Sequence, residues 1–165
     1  MLALFYKLDE LVASLEKLLM TIMCGALAVL LVAQATLRYV FSAPLFWAEE
    51  IAVFLLLGVT FFGMSYLLHK RQLISIDFVV LHLNASIRQL VDLLTALMGV
   101  ILLAILAWLC FEWVARPEVR LEMSATTGLP RYLNYGFLLV ALVLMLFHQV
   151  VALFKCLETL FGGSK

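Results

Sequence analysis

The sequence predicts an all-α integral membrane protein with four transmembrane helices, and three observations carry that prediction. Of the 165 residues, 66% are apolar and 13% charged, with a mean hydropathy of +1.14, whereas soluble domains are nearer half apolar and a quarter charged. Four apolar runs without charge, residues 18–37, 51–68, 93–111 and 132–154, approach or exceed the roughly 20 helical residues that cover a hydrocarbon core of about 30 Å. The runs are continuous rather than alternating, which argues against a β-barrel. In lipid each span must satisfy its own backbone N–H and C=O groups, so the runs are helices. The spans are placed at about 18–38, 50–69, 91–114 and 131–155, in one membrane domain over residues 1–165.

Eleven basic and eleven acidic residues give a net charge of zero. No electrostatic footprint for nucleic acid exists in such a chain, and its natural surroundings are lipids. Orientation follows from the basic residues on either side of the spans. Lys7, Lys17, Lys70, Arg71, Arg88, Lys155 and Lys165 fall on one side, and Arg38, Arg116, Arg120 and Arg131 on the other. Seven against four predicts both termini in the cytoplasm. The aromatic residues agree, because Trp47, Trp108, Trp113 and Tyr132 cluster near the opposite ends of their spans; Trp47, Trp113 and Tyr132 are the expected interfacial anchors.

The segment before the first span is not read as a removable signal peptide, since it carries Asp9, Glu10 and Glu16 and no small-residue cleavage site closes the apolar run. Leu4, Leu8, Leu11, Leu15 and Leu18 recur at helical spacing there, which predicts an amphipathic lead-in at the membrane surface. An ordinary cytoplasmic helix end fits the same pattern. Between spans 2 and 3, Ile76, Val79, Leu83, Ile87 and Leu90 alternate with polar residues at helical period. That pattern predicts a short interfacial helix with Ser75 as its N-cap, then a turn at Asn84-Ala85-Ser86. Pro117 closes the third span, and Gly128 with Pro130 prepares the fourth.

Candidates for chemistry are few. Cys24, Cys110 and Cys156 are scattered and odd in number, which predicts buried, inert thiols. His69 and His148 fall in the same membrane half, so a haem-binding anchor of an electron-transfer complex is an alternative reading; a polar ring beside Lys70-Arg71 at the headgroups is the plainer one. Charges near the spans sit at their ends, as do Asp92 and Glu112, and no acidic residue occupies a midplane position. A free-standing exporter working as a homo-oligomer would need one. No nucleophile with its base, phosphate-cradling loop or zinc spacing is visible, so the chain is not read as an enzyme and no cofactor or metal is expected.

One constellation stands apart. Arg38-Tyr39 at the end of the first span and Trp47-Ala48-Glu49-Glu50 at the start of the second are brought to one depth by a short hairpin containing Pro44. A guanidinium there is expected to pair with Glu49 or Glu50, with separate snorkelling charges as the other reading.

At these residues the sequence resembles the small membrane subunit (DctQ-type) of tripartite ATP-independent periplasmic (TRAP) transporters. The resemblance rests on Arg38-Tyr39-Val40-Phe41 and Pro44-Leu45-Phe46-Trp47-Ala48-Glu49-Glu50-Ile51, on Arg71-Gln72-Leu73-Ile74-Ser75-Ile76-Asp77-Phe78, and on residues 124–135 with Gly128-Leu129-Pro130 and Tyr132. Where family members often carry a Gly and a His before the Ile-x-Asp element, this chain has Gln72-Leu73-Ile74. The resemblance implies a bacterial inner-membrane protein in complex with a large multi-span subunit. That subunit would hold the substrate and sodium sites and move as an elevator, fed by a periplasmic substrate-binding protein. Organic anions such as dicarboxylates or sialic acid are the implied substrates, and the small subunit is implied to be a non-catalytic scaffold. The loops at 41–50 and 116–131, with Glu118, Arg120 and Glu122, are then candidates for docking the binding protein.

Overall fold

A computed structural model describes residues 2–72, 85–124 and 126–162. Four long helices dominate them: α1 (Leu2–Tyr39), α2 (Ala48–His69), α3 (Ala85–Ala115) and, after the short α4 (Pro117–Leu121), α5 (Tyr132–Gly162). Each long helix is apolar and long enough to cross a membrane. At 1.5 Å per residue, α2 is about 33 Å long and matches a hydrocarbon core, whereas α1, at about 57 Å, exceeds it. The expected four-helix architecture is therefore present. The predicted interfacial helix at 76–83 lies outside the described residues. Its predicted closing turn is displaced in part, because Ala85 and Ser86 already belong to α3.

The helices do not form a symmetric square. α1 packs mainly on α2, α2 on α5 and α5 on α3, so α2 and α5 are central and α1 and α3 flank them. Burial follows that order. In the most apolar stretch of each helix, 22% of α2 and 33% of α5 is buried, against 6% of α1 and 11% of α3. Most of the flanking helices' apolar surface, including Val29, Val32, Met98 and Trp108, therefore points away from the bundle.

Close approach is obtained at two glycines. A Cβ on Gly58 of α2 would collide with the Met23 thioether of α1 and touch the Phe137 ring of α5. Phe137 in turn packs edge-on against Phe62, with centroids 4.9 Å apart. A Cβ on Gly99 of α3 would collide with the Gln149 amide of α5, which donates a buried hydrogen bond to the Ala96 carbonyl at 3.2 Å. Neither glycine lies in a G-x-x-x-G pattern, so the sequence does not mark them as packing points; small residues nonetheless act here as they do at other membrane helix contacts, by letting neighbours in. Ala107, Leu142 and Met145 fill the space between α3 and α5, with Phe61 and Leu68 of α2 against them.

The lead-in is the main departure from expectation. α1 runs unbroken through it, and its inward stripe is Asp9, Ala13 and Glu16, all nearly inaccessible, while Leu8, Leu11, Leu15 and Leu18 face outward. The leucine spacing is that of a helix, as expected, but the polar residues take the inner face. Cys24 is also exposed on the outside of α1 rather than buried, whereas Cys110 is half-buried and Cys156 is buried.

Helix ends are closed by recognisable devices. α1 stops before Ser42, at φ 51°, with the Ala43 N–H donating to Leu37 O at 3.0 Å. α2 ends in a Schellman arrangement: Gln72 N–H donates to Leu67 O and Arg71 N–H to Leu68 O, each at 3.0 Å. Arg71 occupies the left-handed position, at φ 53°, where glycine is the usual choice. Its guanidinium compensates by reaching across to the Ala152 carbonyl of α5 at 3.1 Å.

These contacts predict an asymmetry between glycines. Gly58→Leu overpacks the α1–α2–α5 contact and is expected to cost about 1–3 kcal/mol, read as a lower Tm in detergent. Gly25, with nothing near its Cβ position, is expected to accept leucine without loss.

Candidate functional site

Polar side chains concentrate at the two ends of the bundle. At the loop end, α2 begins with Glu49 and Glu50 in its first turn, where carboxylates complement the unpaired N–H groups. Glu50 Oε2 accepts hydrogen bonds from the hydroxyls of Ser124 and Thr126 and from Thr127 Oγ1 at 3.1 Å. The Ser124 hydroxyl also receives the N–H groups of Thr126 and Thr127, each at 3.3 Å. The turn is closed by Ser124 N–H to Leu129 O at 2.9 Å and Arg131 N–H to Glu122 O at 3.0 Å, with Gly128 at φ 68°. Glu50 thus clasps the α4–α5 connection onto the start of α2. Beside the clasp, a cleft of about 560 Å³ opens between α2 and α5, rimmed by Glu49, Glu50 and Arg131 over Phe54 and Tyr135.

The expected pairing of Arg38 with Glu49 or Glu50 is not formed in this structure. Arg38 lies over the Tyr39 ring, 5.9 Å from its centroid, and no described carboxylate comes within salt-bridge distance of it. The physical reason is that Glu50 is already taken by three hydroxyls, and Glu49 faces the Gln34 amide at 3.4 Å. Trp47, Trp113 and Tyr132 are all substantially exposed at this end, and Arg116 stacks over Trp113 at 5.1 Å. Glu118, Arg120 and Glu122 are exposed on α4 and just after it.

The other end holds a cluster that the sequence reading missed. His148 of α5 lies between two carboxylates of α1, with Nδ1 2.5 Å from Asp9 Oδ1 and Nε2 3.1 Å from Glu16 Oε2. The remaining Glu16 oxygen accepts from the Ser65 hydroxyl of α2 at 2.6 Å. His69 of α2 places Nδ1 3.0 Å from Asp9 Oδ2, an ion-pair distance at which that buried nitrogen makes no hydrogen bond. Lys155 Nζ stands 3.4 Å from the same oxygen. The side chains of Asp9, Glu16 and His148 are almost wholly buried, and Lys155 is partly exposed. An available signal was the spacing of Asp9, Ala13 and Glu16, which puts two acids and a small residue on one helical stripe.

This geometry also tests the haem alternative. Two histidines that sandwich a haem iron must each offer it a free nitrogen, one on each face of the porphyrin, with the macrocycle lying between the two rings. Here the imidazoles contact each other directly, edge-on with centroids 5.1 Å apart, which leaves no room for a macrocycle between them. The residues present do not fit that group.

Two outcomes follow. His148→Ala takes from Glu16 its basic partner and leaves Asp9 with Lys155, and is expected to cost about 3–5 kcal/mol, whereas replacing Asp9, Glu16 and His148 together by apolar residues recovers most of that loss; thermal unfolding in detergent reads both. At the loop end, Glu50→Ala is expected to speed hydrogen exchange at the amides of Ser124, Gly128 and Leu129, while Glu49→Ala leaves them unchanged.

Comparison with known proteins gives the context for this bundle. The chain is 27% identical over 123 residues to the Haemophilus influenzae (strain 86-028NP) protein named "Sialic acid TRAP transporter permease protein SiaT". That alignment covers 74% of this chain but 20% of the relative, so the chain spans about a fifth of the curated protein it matches. Residues 18–159 match the family described as "Tripartite ATP-independent periplasmic transporters, DctQ component". That match takes in α1 from Leu18 onward, all of α2 and α3, nearly all of α5 and the Glu50 clasp, and the chain belongs to the DctQ component family of TRAP transporters.

Proposed function

We propose that this chain is the small, non-catalytic membrane subunit of a TRAP-type secondary transporter. It would anchor and brace a large translocating subunit during sodium-coupled, binding-protein-dependent uptake of an organic acid. The observation that carries the reading is the family match over residues 18–159. The class of substrate, a carboxylate such as sialic acid, is drawn from the name of the Haemophilus influenzae relative and from the resemblance in the sequence.

The structure supports a bracing role through what its spans lack and what they expose. Among the described residues the long helices run without a break, whereas transport sites at the bilayer midplane are built from interrupted helices. The outward faces of α1 and α3 carry large apolar side chains along their length, surface that lipid and a second membrane subunit would cover. An elevator needs a part that stays still in the bilayer. A rigid block of four helices with aromatic anchors at its interface supplies area and grip for that part.

The bias of basic residues favours both termini in the cytoplasm of a bacterium, with the protein multi-pass in the inner membrane. The Glu50 clasp would then face the periplasm. In that orientation the connection between α3 and α5 is presented toward a soluble binding protein. Glu118, Arg120 and Glu122 are its exposed charges, and rim charges act chiefly on the rate of encounter.

Two measurements test the reading. Tagged chain purified from its native membranes in mild detergent is expected to bring down one large multi-span protein, and deletion of the chain is expected to abolish uptake of the organic acid. Retention of full uptake after deletion would refute the subunit role. The combined reversal E118K, R120E and E122K is expected to lower uptake at limiting binding protein without disturbing copurification; unchanged uptake removes the docking assignment alone.

A further inference from the structure

The cluster between α1, α2 and α5 contains more than a neutralised acid pair. Asp9, His69 and His148 each offer one ligand atom, and the three atoms lie within 4.8 Å of one another. They come from three different helices. Two imidazole nitrogens and a carboxylate oxygen form a donor set suited to zinc and its neighbours, rather than to magnesium or calcium, which prefer oxygen throughout.

A second observation points to a ligand independently. The His69 side chain is 9% exposed, and its Nδ1 makes no hydrogen bond although it lies 3.0 Å from Asp9 Oδ2. Buried polar atoms are nearly always partnered, and an exception calls for a reason. A cation held jointly with Asp9 supplies one.

The surroundings of His148 have the form that metal-binding histidines take. A ligating imidazole generally donates its other N–H to a carboxylate, which fixes the tautomer and the orientation of the ring. Glu16 is placed to accept from Nε2 at 3.1 Å and is itself fixed by the Ser65 hydroxyl at 2.6 Å. With that proton on Nε2, Nδ1 presents a lone pair toward Asp9 Oδ1, and the two acceptors are joined either by a second proton, which makes the ring an imidazolium, or by a metal ion that replaces that proton.

We infer that Asp9, His69 and His148 form a site for one divalent transition-metal ion of the zinc class, with Glu16 and Ser65 orienting His148. Charge balances within the cluster: a divalent ion, two neutral imidazoles and the Asp9 and Glu16 carboxylates sum to zero. Lys155, now 3.4 Å from Asp9, is not needed in that state. Its partial exposure lets the ammonium withdraw to water and leaves a position for a water ligand. Bonds of about 2.0–2.1 Å at tetrahedral angles set ligand atoms about 3.3 Å apart, which small side-chain rotations reach from the present separations. The ion would pin α1 to the two central helices at one end of the bundle. This assignment stands apart from the transporter reading and does not rest on it.

The test uses full-length chain purified from membranes in mild detergent, with any subunit that copurifies, stripped with chelator and titrated with Co²⁺. One Co²⁺ per chain with the ligand-field absorption of a four-coordinate ion, displaced by Zn²⁺, is the expected result, together with a rise in Tm on adding Zn²⁺. His69→Gln and Asp9→Asn are expected to abolish stoichiometric binding, and Glu16→Gln to weaken it about 10- to 100-fold. Wild-type chain that binds no more Co²⁺ than H69Q, or that leaves the ion six-coordinate as in water, overturns the site. Should H69Q fail to assemble, zinc-edge X-ray absorption on wild type decides: two imidazoles in the shell sustain the site, and an oxygen-only shell overturns it.

Discussion

A carboxylate withdrawn from water into the interior of a helix bundle must meet a cation or a set of donors, and one end of this protein is organised around that requirement. Asp9 and Glu16 lie on the inner stripe of α1, and His148 of α5 stands between them. The attraction is effective because all three groups are almost completely removed from water, where screening is weakest. It is also demanding, since the desolvation cost is recovered only when every partner is in place. The consequence is positional. α1 touches α5 only lightly along most of its length, and the ionic contact at this end fixes how the two meet. Ser65 and His69 of α2 close the same cluster from the third side, so three helices share one register.

The opposite end uses a different solution. Glu50 is not deeply enclosed, and it is met by hydroxyls rather than by a cation. Hydrogen bonds to an ionised acceptor are strong and directional, which suits a carboxylate that must shape a loop. The connection from α4 to α5 takes its form from that contact and from the left-handed Gly128. Between the two polar ends the bundle is held by van der Waals fit at Gly58 and around Met145 and by the Gln149 amide lodged against Gly99 and bonded to the Ala96 carbonyl, as expected where lipid tails offer apolar side chains no penalty for remaining outside.

This division of labour bears on the proposed role. A block that braces a moving partner gains from fixed helix register, and polar locks at both ends with tight steric contacts between them provide it. The flanking helices α1 and α3 then present broad apolar faces to their surroundings, while α2 and α5 form the interior. The order α1, α2, α5, α3 resembles a layer more than a closed square, and a layer has two broad faces to offer.

The sequence by itself determined the number of spans, their helical state and the membrane as solvent, because backbone groups in lipid leave no other choice for long uncharged apolar runs. It also carried the family through the residues around Arg38, Glu50 and Gly128, which the match over 18–159 sustains. The inner face of each helix was not legible. In water the leucines of the lead-in would have marked the buried stripe; in the structure Leu11 and Leu15 face outward and Asp9 and Glu16 inward. The same uncertainty concealed the partners of Arg38 and Glu50, since nearness along a hairpin says nothing of a turn 74 to 77 residues away that reaches the carboxylate first. Only the tertiary structure decided these points, because against lipid hydrophobicity no longer separates inside from outside, and a few polar side chains choose the face.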